Sequence, residues 1–170
     1  MAVRWLGGAF ALVGTLPFEA TITPGYEDVA KPGREDLVWG LRVDRTPLGC
    51  PLRIGGVRYR HGISVHSKTS LRVPLGKAWT RFACAFGIDD EVLTDSADPS
   101  RKGDVTARIL VDGKEAWSSK GSVKGGEAAR VVGPIDVTGA SELVLEVDFG
   151  GDQFTFDRAD WAEPILSRGK

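Results

Sequence analysis

The chain has 170 residues, 42% of them hydrophobic, and 22 lysines and arginines stand against 23 aspartates and glutamates for a formal net charge of −1. That length supports one sizeable core in one domain. The even mixture of signs gives no electrostatic footprint for nucleic acid or an acidic membrane, leaving a glycan, another neutral small molecule or a protein as partner.

The first stretch, MAVRWLGGAFALVGTLPFEA, carries one arginine and an apolar run. Glycines interrupt that run, no small-x-small cleavage site follows, and it is too short to span a bilayer. The expectation is ordered protein without membrane insertion, any export signal lying outside this sequence. Residues 3–13 and 18–23 read as short strands, and the Pro/Gly-punctuated TPGYEDVAKPGRED as a polar crossing segment. Residues 1–36 are thus N-terminal strands plus a crossing segment, either an extension of the main unit or the tail of a neighbouring domain. Residues 37–170 form that main unit.

Within it, residues 37–43 alternate as a strand, and RIGGVRY carries a Gly-Gly hairpin signal. GISVHS, SLRVPL and WTRFACAFGI follow, the last placing Phe82, Cys84, Phe86 and Ile88 on one face. DVTARILVDGKEAWSS reads as a hairpin turning at Asp112-Gly113. ARVVGPIDV and ELVLEVDF complete about ten short strands with almost no helical period, which describes a β-sandwich, with jelly-roll connections favoured. Cys84 reads as a buried hydrophobe, and a single possible Cys50–Cys84 pair supplies no disulfide framework.

In a sandwich, ligands meet loops at one end or a concave sheet face, because strand interiors are occupied by the core. The acids Asp89, Asp90, Asp157 and Asp160 are candidates for paired-carboxylate hydrolysis, but extended spacing puts Asp157 and Asp160 on opposite faces. Hydrogen bonding to loop amides is the favoured role for all of them. His61 and His66 are five apart and no Cys-x-x-Cys occurs, so zinc finds no ligand set. No metal is required. Calcium is the ion the loop acids leave open, through Asp89, Asp90, Asp95, Asp98 and Asp104, though these lack the EF-hand glycine. No nucleophile elbow or phosphate loop is present. Trp161 beside Asp157, Arg158 and Asp160 is the pattern of a sugar site, an aromatic next to fixed polar groups, and equally that of a core anchor.

The blocks GVRYRHGISVHSKTSLRVPL, RFACAFGIDDEV, ILVDGKEAW, ELVLEVDFGGD and DRADWAEP, in that order from about Asp44 to Ala162, resemble the NPCBM domain, also classed as carbohydrate-binding module family 51. The resemblance implies a galactose-binding-like jelly-roll sandwich that binds galactose-type glycans without catalysis, as part of a larger exported, extracellular, cell-surface or periplasmic protein. It carries His66, Ser67, Asp89, Asp90, Asp157, Arg158, Asp160 and Trp161 over as the ligand-binding set, with Arg158 standing where the family often has histidine. The alternative is a protein-protein or cell-surface assembly module that has lost sugar binding.

Overall fold

The computed structural model describes residues 10–13, 18–22, 41–95, 102–151 and 155–168. In chain order the elements are β1 (Phe10–Leu12), β2 (Glu19–Ile22), β3 (Arg42–Val43), β4 (Arg53–Ile54), β5 (Val57–Arg58), β6 (Gly62–His66), β7 (Thr69–Pro74) and β8 (Arg81–Ile88). They continue with α1 (Val92–Asp95), β9 (Asp104–Val111), β10 (Lys114–Ser118), β11 (Val123–Lys124), β12 (Arg130–Asp136), β13 (Glu142–Phe149) and β14 (Arg158–Ser167).

Two antiparallel sheets form the predicted sandwich. Sheet A runs β12-β8-β14-β6-β3, with β1 also on β14; sheet B runs β10-β9-β13-β7-β2, with β11 also on β9. The period-2 pattern explains why they stack. Phe82, Phe86 and Ile88 of β8 face Val105 and Ile109 of β9, Leu71 and Val73 of β7, and Leu143, Leu145 and Val147 of β13 in one buried cluster. Each such side chain contributes about 1.5–3 kcal/mol by leaving water. Cys84 lies in this cluster, Cys50 is exposed, and both are free thiols.

The N-terminal strands join both layers, β1 pairing with β14 and β2 with β7. A bulge between Ala162 and Ile165 divides β14, so β6 pairs with its first half and β1 with its second. Glu163 sits at the bulge with φ 47°, its carboxylate accepting the amides of Arg60 and His61. The Asp112-Gly113 turn has both φ values positive, 46° and 78°, as the sequence requires. The segment around Trp161 closes sheet A as the final strand. One departure from sequence expectation occurs: one helical turn, α1, follows β8. Asp89 nucleates that turn, its carboxylate accepting the amide of Glu91 and its carbonyl that of Val92.

A third layer covers part of sheet A. The β4–β5 hairpin lies across the outer face, with Leu52 and Ile54 buried against it. Glycines make the approach possible: a Cβ on Gly62 would stand 2.6 Å from Leu52 Cδ1, and one on Gly87 2.4 Å from Ile54 Cγ2. This flap is why β6 and the first half of β14 are buried on both faces.

Candidate functional site

Strand register assembles the candidate residues. β14 pairs Arg158 with His66, Asp160 with Ser64 and Gly87, and Trp161 with Ile63 and Phe86. Asp89 donates its amide to Arg158 O at 2.9 Å. His66, Arg158 and Asp89 therefore stand side by side at one end of sheet A, where the β6–β7, β8–β9 and β13–β14 connections meet. Alternation then sorts the side chains. Arg158, Asp160, Ser64 and His66 project to the flap side, whereas Ala159 and Trp161 enter the core.

Beneath the flap lies a buried polar network. Arg158, 2% exposed, donates Nη1 to Glu91 Oε1 at 2.9 Å. The other oxygen of Glu91 accepts the Thr46 hydroxyl, whose oxygen accepts the Cys50 amide. Glu91 of the turn before α1 thereby ties the 44–50 loop to β14. His66 donates Nδ1–H to Ser67 O at 3.0 Å. Burial, with the nearby Arg158 charge adding to it against that hydrogen bond, lowers its pKa to about 4, so the ring is neutral near pH 7.

Asp89 and Asp90 pin the flap. Asp89 Oδ2 accepts the Arg53 amide at 2.8 Å, and Asp90 accepts those of Gly55 and Gly56 at 2.9 and 2.7 Å. Asp157 ties the two sheets, accepting the Ser67 hydroxyl on one oxygen and the Asp104 amide on the other. Asp160 is fully buried, and its oxygens make no hydrogen bond of ordinary geometry. Burial first, and then the facing Asp89 carboxylate, holds its pKa well above the usual carboxylate range. Its carboxyl faces Asp89 and Ser64.

Of the eight sequence-predicted ligand residues, all but the partly exposed Asp90 are buried. Trp161 needs a correction: its ring has no exposed surface and packs 4.5 Å from Phe86 and 6.4 Å from Trp117, so it has no face to offer a sugar. At this end the accessible groups are others. Phe156, partly exposed at φ 59°, sets its ring 5.6 Å from the Arg158 guanidinium. Lys68 lies 5.0 Å over the Phe149 ring and 3.0 Å from Asp148, and Lys102 is exposed. Gly103 lets the chain pass Phe156, since a Cβ there would lie 2.2 Å from Phe156 O.

Sequence reasoning missed Glu91 and Thr46, 45 positions apart with no motif joining them. Phe156 directly precedes the DRADWAEP block, and its aromatic type was the available signal. For a metal, no group of three or more His, Cys, Asp or Glu side chains comes together among the described residues. Asp98 and the Asp95 side chain lie outside the described residues.

Residues 29–167 match the NPCBM/NEW2 domain. The chain belongs to the NPCBM/NEW2 family. This NPCBM domain is 32% identical over 114 residues to a putative endo-alpha-N-acetylgalactosaminidase of Renibacterium salmoninarum, a match covering 67% of the chain and 7% of that relative. It thus spans a small fraction of the relative's length. Among solved structures, CBM51 from Clostridium perfringens GH95 in complex with methyl-galactose superposes with a TM-score of 0.74 at 17% identity, covering 93% of this chain and 99% of that one. CBM51-2 from Clostridium perfringens ZmpB, solved with its INT domain in complex with GlcNAc, superposes at 0.75 with 20% identity, covering 94% and 32%. These likenesses establish the galactose-binding-like sandwich for the NPCBM domain.

Proposed function

We propose that this NPCBM domain is a non-catalytic carbohydrate-binding module that takes galactose-type sugars where the β6–β7, β8–β9 and β13–β14 connections meet, as one domain of a larger exported protein. Phe156 and Lys68 are the groups that meet the sugar. The buried set His66, Ser67, Asp89, Asp157, Arg158 and Asp160 holds the rim rigid from below, with Asp90 fixing the flap beside it. The supporting observation is the convergence of these three connections on one end of sheet A, above a network that leaves little freedom to move.

Binding without reaction follows from how the acids are used. Asp89, Asp90 and Asp157 spend both oxygens on hydrogen bonds within the protein. Asp160 is sealed from solvent. Among these four acids no pair is left accessible on the two sides of a substrate bond, as glycoside hydrolysis requires. A shallow polar site exchanges water hydrogen bonds for protein ones at a net gain of about 0.5–1.5 kcal/mol each. Dissociation constants of about 0.1–1 mM correspond to about 4–5.5 kcal/mol, and a multidomain parent would raise the effective affinity by avidity.

Calorimetric titration with methyl galactoside and GlcNAc tests this. Saturable binding in that range is expected, weakened about three- to tenfold by Phe156→Ala, the loss of one aromatic contact. No cofactor is required, so EDTA leaves the affinity unchanged, whereas loss with EDTA and recovery with calcium would assign an ion to the site. Absence of saturable binding to any sugar, with a protein partner recovered by pull-down, would establish the assembly module instead.

A further inference from the structure

The outer face of sheet B carries a groove of about 550 Å³ that shares only Lys68 with the rim. Its floor follows from strand register. Ser70 of β7, Glu146 of β13, Arg108 of β9 and Ser118 of β10 form one row across four strands. Thr106 and Asp148 form the next row, with Lys68 bonded to Asp148 at 3.0 Å. These side chains face outward because Leu71, Leu145 and Ile109, at alternating positions, are buried in the core. The turn after β10 supplies a wall, Lys120 having φ 55° and the Ser119 hydroxyl donating to Gly121 O at 2.6 Å.

We propose that this groove is a second ligand site that takes an extended, uncharged glycan chain. The proposal rests on the glycan-binding function above. Charge sets the class of occupant. Lys68, Arg108 and Lys120 line the groove together with Glu115, Glu146 and Asp148, three of each sign. Arg108 and Glu146 are paired across β9 and β13 at 2.5 Å. A balanced lining has no net field to draw in an anion or cation. Among the described residues it has no aromatic or large aliphatic anchor for a lipid or an apolar peptide, Ala107 and Val147 being the aliphatic members there. What it does offer is fixed acceptors and donors with lone pairs and N–H groups to spare, interleaved with the Ser70, Thr106 and Ser118 hydroxyls, the complement of a ligand rich in hydroxyls. Four strands spaced about 4.8 Å apart make a trough about 14 Å across, long enough for several sugar rings. Its Lys68–Asp148 end adjoins the rim.

The isotope-labelled 170-residue chain, titrated by NMR with methyl galactoside and with a linear galactan tetrasaccharide, tests the site. The tetrasaccharide is expected to bind about tenfold more tightly and to shift the amides of Arg108, Lys120, Gly121 and Glu146. Arg108→Ala and Ser118→Trp should each reduce it to the monosaccharide's affinity while methyl galactoside binding stays unchanged, which also shows that the variants fold. A tetrasaccharide advantage that survives both substitutions, or the absence of those amide shifts, overturns the proposal while leaving rim binding intact. Preference for a sulfated over the neutral tetrasaccharide overturns the uncharged class. Failure of both sugars to bind anywhere removes this site and the glycan-binding function together.

Discussion

Arg158 shows what a single side chain inside this fold must satisfy. A guanidinium keeps its charge at any ordinary pH, so burial at 2% exposure obliges it to find an acceptor within the protein, and Glu91 supplies one at 2.9 Å. Such a pair contributes little over two apolar groups of the same shape, yet losing one partner strands the other charge. Arg158→Met is therefore expected to lower stability by about 3–5 kcal/mol in urea denaturation, and adding Glu91→Leu to restore much of that loss. Equal or greater destabilisation in the double variant would show that Arg158 acts through other contacts. Trp161 makes the converse case. Beside two aspartates in sequence it has the composition of a sugar platform, but its neighbours in space are Phe86 and Trp117.

Among the elements, the β4–β5 hairpin depends on contacts far from it in sequence. Two residues on each strand cannot stand alone. Gly55 and Gly56 adopt φ 55° and 82°, the turn that Gly-Gly favours, and their amides point at the carboxylate of Asp90, some 35 residues away. Hydrogen bonds to a charged group are worth about 1.5–3 kcal/mol, and less where water competes. Asp90→Ala should cost about 1–3 kcal/mol and speed amide hydrogen exchange at Gly55 and Gly56 ahead of sheets A and B. Exchange that rises uniformly over the chain would mean that the flap and sandwich open as one unit. The hairpin was legible in RIGGVRY because turn chemistry is local. Its docking over Gly62 and Gly87 was not, because nothing in those glycines names Leu52 or Ile54 as what they make room for.

Over the whole molecule, two buried groups give stability an opposed dependence on pH. The pKa of His66 is depressed to about 4 from 6.5, so the unfolded chain binds the proton more readily. Its contribution is present above pH 6.5 and is lost as pH falls towards 4, a change of about 3 kcal/mol. Asp160, with its pKa raised, works the other way. Its contribution is complete below the ordinary carboxylate pKa and is lost as pH rises through the elevated value, because the folded state then has to ionise an acid facing Asp89. Asp160→Asn keeps the shape and removes the titration. Its melting temperature should gain on the wild type as pH rises above the ordinary carboxylate range, and a difference that does not change with pH would show that the pKa of Asp160 is not raised in the folded protein.

The amino-acid sequence by itself determined the all-β class, the inward faces of β8, β9 and β13, the turn at Asp112-Gly113 and the family, since each is written in alternation, turn chemistry or contiguous motif. It also marked His66, Asp89, Asp157 and Arg158 as residues that belong together. Only the tertiary structure decided what those residues do. Sheet register and the flap placed the motif side chains under cover, leaving Phe156, Lys68 and the outer face of sheet B in contact with solvent. The physical reason is that burial of a polar side chain depends on which distant segment lies over it. Thr46 on Glu91 and the β4–β5 hairpin over Gly87 are contacts between strangers in sequence, and no local pattern encodes them.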